Sequence, residues 1–157
     1  MSRCSKSRQR GFTLVELIVA FTILALLCGM SVPLARYKVR RDREKELRWS
    51  LRELRAAIDK YKDFCDANKL GPVKIETNCY PDKLETLVEG VKESGKVDTK
   101  IRFLRRIPKD PMTNSFEWGM RSMQDDPKST SWGGQNVFDV FSKSTVKGSD
   151  GTQYSDW

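Results

Sequence analysis

Residues 12–35 read FTLVELIVAFTILALLCGMSVPLA, an apolar run that carries one charged side chain, Glu16. A helix needs about 20 such residues to cross the hydrocarbon layer of a membrane, and Phe12 to Leu34 is of that length. Whatever this chain folds into, it must give that run an apolar environment. A secretory signal peptide would carry a shorter apolar core, about 7–15 residues, ending at small residues of the A-x-A kind. The run here is longer and lacks that ending. Glu16 is the anomaly within it. A carboxylate inside a membrane helix costs about 2.5–3.5 kcal/mol on insertion scales. Glu16 therefore needs either a partner or, one turn into the run, a place at the wet interface.

Basic residues flank the run on both sides. Arg3, Lys6, Arg8 and Arg10 precede it; Arg36, Lys38, Arg40, Arg41 and Arg43 follow. Loop charge therefore does not decide its orientation. The formal net charge is +8, from 29 basic and 21 acidic residues, and four of the basic ones precede Gly11 with no acid beside them. Without residues 1–11, 25 basic residues face 21 acidic ones, an excess of 4. Half of the basic excess thus belongs to the leader, which removes most of the case for a nucleic-acid interface. The chain has no histidine, so the commonest general base and metal ligand are missing. No nucleophile–base pair stands out elsewhere, and an enzyme is not expected.

The residues from Arg10 to Glu16, RGFTLVE, resemble the prepilin cleavage motif of type IV pilins and type II secretion pseudopilins. That resemblance implies cleavage between Gly11 and Phe12 by a prepilin peptidase, and N-methylation of the new Phe12 amine by the same enzyme. It also implies an assembly role for Glu16, and Pro33 matches a helix-bending proline common in the family. The chemistry agrees. Glycine before the scissile bond allows close backbone approach. Cleavage creates a cationic amine at the bilayer edge, with Glu16 four residues beyond the new terminus. A carboxylate there can pair with the Phe12 amine of a neighbouring copy, and breaking such a pair in low dielectric strands a charge. The resemblance implies a homo-oligomeric helical filament, an inner-membrane assembly platform and minor pseudopilins as partners. It places a single-pass anchor in the inner membrane and the globular domain in the periplasm. The chain then divides into a leader, 1–11, a transmembrane and filament-core helix, 12–35, and a globular domain, 36–157.

Helix is expected to continue past Pro33, kinked there because proline removes a backbone bond and crowds the preceding turn. Leu47, Leu51, Leu54, Ile58, Tyr61 and Cys65 recur at intervals of four and three, an apolar stripe on one helical face. It covers too few heptads for a coiled coil and reads as a core face. One helix from Phe12 to about Asp66 follows. A second begins near Pro81, a residue suited to a first turn, with Leu84, Leu87, Val88 and Val91 on one side. The chain has four cysteines; Cys4 lies in the leader, Cys28 in the apolar run, and Cys65 and Cys79 in the polar domain. Outside the cytoplasm the last two can form a disulfide, worth about 3 kcal/mol for so short a loop. In a reducing compartment they stay thiols.

Pro108-Lys109-Asp110-Pro111 reads as a turn. Residues 115–121 and 136–142 alternate and read as strands, with Val137, Asp139 and Phe141 facing one way, Phe138 and Val140 the other. A small antiparallel sheet of about three strands packed on the long helix follows, an α+β fold. These segments again resemble the major pseudopilin of type II secretion systems. The turn Pro108–Asn114 carries Asn114 where glycine is more usual, and the closing segment Asp150–Trp157 resembles the family's acidic C-terminal loop. In that family the loop often binds calcium. A hard cation wants six to eight oxygens, and here Asp150 and Asp156 are the obvious side-chain ligands. No other cofactor is expected. Within the same family a type IV or competence pilin is the alternative; outside it, an anchored periplasmic domain that never polymerises.

Overall fold

The computed structural model describes residues 13–96 and 99–157, with the side chains of residues 30–34 and 75 outside the description. Two compact units divide at Arg40/Arg41, a little beyond the 35/36 boundary expected from hydropathy. The fold is α+β. Helix α1 spans Leu14–Asp66 and α2 spans Leu84–Glu89. Strands β1 (Val91–Lys92), β2 (Lys100–Ile101), β3 (Gly119–Arg121) and β4 (Asp139–Phe141) pair in two antiparallel ladders.

Within the Arg41–Trp157 unit, the whole expected stripe of α1 is buried. Leu47, Leu51, Leu54, Ile58, Tyr61 and Cys65 share one core with Leu84, Leu87, Leu104, Trp118, Val137, Val140 and Tyr154. The helix ends because Asn68 takes a left-handed backbone, φ 54°. Its N–H then bonds the Cys65 carbonyl at 2.8 Å, and the Lys69 N–H bonds that of Phe64 at 3.0 Å. This is the paired Schellman closure of a helix C-terminus, with asparagine in the place glycine usually fills.

Glycine is required at Gly90. Its φ is 81°, and a Cβ there would lie 2.7 Å from the Ile101 carbonyl oxygen. The chain leaves α2 by this tight corner and pairs Val91 with Ile101. The Leu87 carbonyl then accepts the N–H groups of both Phe103 and Leu104. The segment after α1 joins the same ladder, since Gly71 N–H bonds the Lys92 carbonyl at 2.8 Å.

One sheet of about three strands is expected from alternation, and the described residues instead form two separate two-stranded ladders. Two local commitments explain this. Asp110 donates its N–H to the Ser115 carbonyl, so residue 115 closes the turn rather than extending β3. Its buried carboxylate accepts from Met112 N–H at 2.8 Å and from the Ser142 hydroxyl at 2.6 Å. Asn114, φ 58°, supplies the left-handed residue of this turn, which asparagine tolerates better than most residues. Farther on, Val137 N–H bonds the Pro81 carbonyl, so residue 137 lies outside the β4 ladder.

The expected facing of residues 137–141 is corrected accordingly. Val137 and Val140 both enter the core, while Phe138 is exposed and meets Tyr80 edge to face. Phe141 is buried on the other side, over Gly119, where a Cβ would come within 2.4 Å of its ring. The Arg121 guanidinium lies 4.1 Å from the centre of that ring.

Candidate functional site

The N-terminal part of α1 starts at a side-chain cap. Glu16 N–H bonds the Thr13 hydroxyl oxygen at 3.3 Å, which satisfies one of the amides left open at a helix start. Glu16 itself stands in the first turn, where the helix dipole favours negative charge. From Leu14 to Leu27 the apolar side chains are exposed on every face, including Leu14, Leu17, Phe21, Leu24 and Leu26. The Thr22 hydroxyl turns back to the Val19 carbonyl at 2.8 Å and so needs no water. A helix that is apolar all round requires lipid or protein on all sides. Among the described residues no helix is long and apolar enough to cross a membrane. The described apolar side chains stop at Gly29, however, short of the end of the sequence run. Gly11, Phe12 and the side chain of Pro33 lie outside the described residues; the helix continues through residue 33.

At the other end, the loop 147–157 is held by one face of α1. Glu44 is 5% exposed. Its Oε1 accepts from Ser149 N–H at 2.8 Å and from the Tyr154 hydroxyl at 3.0 Å, and its Oε2 accepts from the Ser149 hydroxyl. One turn on, the Arg48 guanidinium lies 4.2 Å from the centre of the Trp157 ring and 3.5 Å from Asp150 Oδ2. Arg55 donates to the Trp157 main-chain oxygen at 2.7 Å and to Asp139 Oδ1 at 2.7 Å. Asp139 also faces the buried Arg121, which donates to the Ser155 carbonyl at 3.0 Å.

Asp150 Oδ1 accepts both the hydroxyl and the N–H of Thr152. The hydroxyl, then the amide and more weakly Arg48 hold this carboxyl below its ordinary value. Asp156 is exposed on a short 3₁₀ turn, residues 154–156. Among the described residues, no three His, Cys, Asp or Glu side chains are grouped closely enough to hold a metal ion. Cys65 and Cys79 are joined in a disulfide, S–S 2.08 Å, so the loop between α1 and α2 is tied to the end of α1. Cys28 is free and exposed.

Residues 6–32 match the prokaryotic N-terminal methylation motif. Type II secretion system core protein G of Klebsiella pneumoniae is 30% identical over 117 residues, 70% of this chain and 74% of the relative. The protein of the same name from Escherichia coli (strain K12) is 30% identical over 115 residues, 69% of this chain and 70% of its own. The chain belongs to the type II secretion core protein G family, the major pseudopilins. That of Pectobacterium carotovorum is also 30% identical, and there the chain spans 66% of the relative's length. No solved structure matches significantly.

Family membership accounts for the N-terminal motif that the sequence made legible. Glu44, Arg55, Asp139 and Arg121 were not singled out in sequence. Glu44 could have been, since it lies three residues before Leu47 on the same buried stripe, where an acid is out of place. The arginine pair gave no local signal; only the tertiary fold brings residues 55, 121 and 139 together.

Proposed function

We propose that the chain is the structural subunit of a type II secretion pseudopilus, anchored in the inner membrane with Arg41–Trp157 in the periplasm. Its precursor is cut between Gly11 and Phe12 and methylated on the new amine. The observation that carries this reading is the N-terminal part of α1, Leu14 to Leu27, apolar and exposed on every face, with Glu16 its one charge. Lipid covers such a surface before assembly, and the helices of other copies cover it afterwards. Glu16 pairs with the Phe12 amine of a neighbour and fixes how far one copy rises above the next. A register pin is the best-attested use of a buried charge pair.

The subunit acts by assembly and not by catalysis. Its partners are copies of itself, the processing peptidase, the inner-membrane platform and minor pseudopilins. The test is Glu16→Ala. Processing to the mature size is expected to proceed, while filaments recovered from overproducing cells fall at least about tenfold, the effect of losing about 1.4 kcal/mol per contact. Filaments at the normal level from that variant would remove the pairing.

A further inference from the structure

The C-terminal loop is where the family resemblance and the geometry part. A calcium loop presents oxygen acceptors to a central cation, six to eight of them. The groups that this loop turns toward α1 are donors: the Ser149 N–H, the Ser149 hydroxyl and the Tyr154 hydroxyl. Donors converging on one point need an acceptor there, and the Glu44 carboxylate supplies it from the helix. Asp150, one of the two expected ligands, is already engaged, with Thr152 on Oδ1 and the Arg48 guanidinium facing Oδ2. A fixed positive charge thus stands beside the carboxylate that a cation would need.

We infer that Glu44 orders the C-terminal loop in place of a bound divalent ion, so that the loop stays closed without calcium. Three further contacts support the closure. The Gly148 N–H bonds the Thr152 carbonyl at 2.7 Å, the Trp157 indole N–H bonds the Thr152 hydroxyl at 2.6 Å, and Tyr154 and Trp157 meet edge to face. Glu44 is a positioning residue in this scheme. It stands 28 residues beyond Glu16 on α1, and the test below reads the loop rather than processing or filaments, so its outcome is separate from that of the proposed function.

The experiment is amide hydrogen exchange over residues 147–157, with thermal melting, on the full chain in detergent. It compares about 1 mM calcium, the range of weak extracellular sites, with a chelator. The wild type is expected to show the same protection and the same Tm in both. Glu44→Ala is expected to lose protection at Ser149 and to melt lower in both, with no recovery in calcium. Should Glu44→Ala not fold, the double variant Ser149→Ala/Tyr154→Phe removes both of these hydroxyl donors and is expected to show the same calcium-independent loss. A wild-type Tm raised by several degrees in calcium would be the mark of a ligand binding the folded state and would overturn the inference. So would unchanged loop protection in Glu44→Ala or, in its place, in the double variant.

Discussion

Helix α1 behaves as two different helices under one hydrogen-bonding pattern. Its first part, from Leu14 to Leu27, exposes leucine, valine, isoleucine and phenylalanine on all sides. Its last part, from Glu44 to Cys65, keeps one buried stripe and turns Lys45, Glu46, Arg48, Arg52 and Glu53 outward. The backbone rule is the same in both; only the intended solvent differs. An all-round apolar surface is stable where its surroundings are apolar, and a one-sided surface is stable where water covers the rest. A single helix can therefore present an all-round apolar surface at one end and one face of a core at the other.

The sharpest way to break this contrast is to truncate one leucine in each part. Leu54 is fully buried, and Leu54→Ala is expected to destabilise the Arg41–Trp157 unit by about 3–5 kcal/mol. Leu24 is more than half exposed, and Leu24→Ala should leave that unit's unfolding within about 0.5 kcal/mol of wild type. Chemical denaturation of both variants in detergent reads the difference directly. Equal losses would mean that the two parts are not independent.

A smaller effect separates the two kinds of cysteine. Replacing Cys65 and Cys79 together by serine is expected to cost the globular unit about 3 kcal/mol, the value for a loop of this size. Cys28→Ser should not change its melting, because Cys28 is free and lies in the other unit.

How much could be read beforehand follows the same division. The N-terminal segment was legible because its constraint is local: one acid in an apolar run, after a glycine. The α1 stripe was legible because periodicity marks a buried face whatever packs against it. The β1–β2 ladder was not, since its strands are two residues long and Val91 read as part of the helical face with Leu84, Leu87 and Val88. Gly90 is in fact the corner that turns the chain into β1. Strand facing at 137–141 failed for a similar reason. Alternation assumes an unbroken ladder, whereas Val137 is held by Pro81. Glu44 stood out only as an acid on the buried stripe; its role did not, because the Ser149 and Tyr154 donors lie more than a hundred residues away in sequence.

The smallest expected effect is acid sensitivity of the C-terminal loop. Asp150 is held below its ordinary value of 3.8 by bonds to its ionised form. Its contribution is complete above that value and is lost as the pH falls through the lower folded-state value. Exchange at the Thr152 amide should therefore stay protected at pH 5 and rise only below the ordinary carboxylate range, about pH 3.9. Loss of that protection already at pH 5 would mean that the Asp150–Thr152 contact does not form.

In the function proposed above, the apolar end of this chain becomes a cut, charged terminus that meets another copy. Intact-mass and fragment analysis of the protein purified from membranes tests it most directly. A chain beginning at Phe12, one methyl group heavier than its sequence mass, is the expected result. A chain that keeps Met1, or begins at another residue, would mean that no such terminus forms at Phe12.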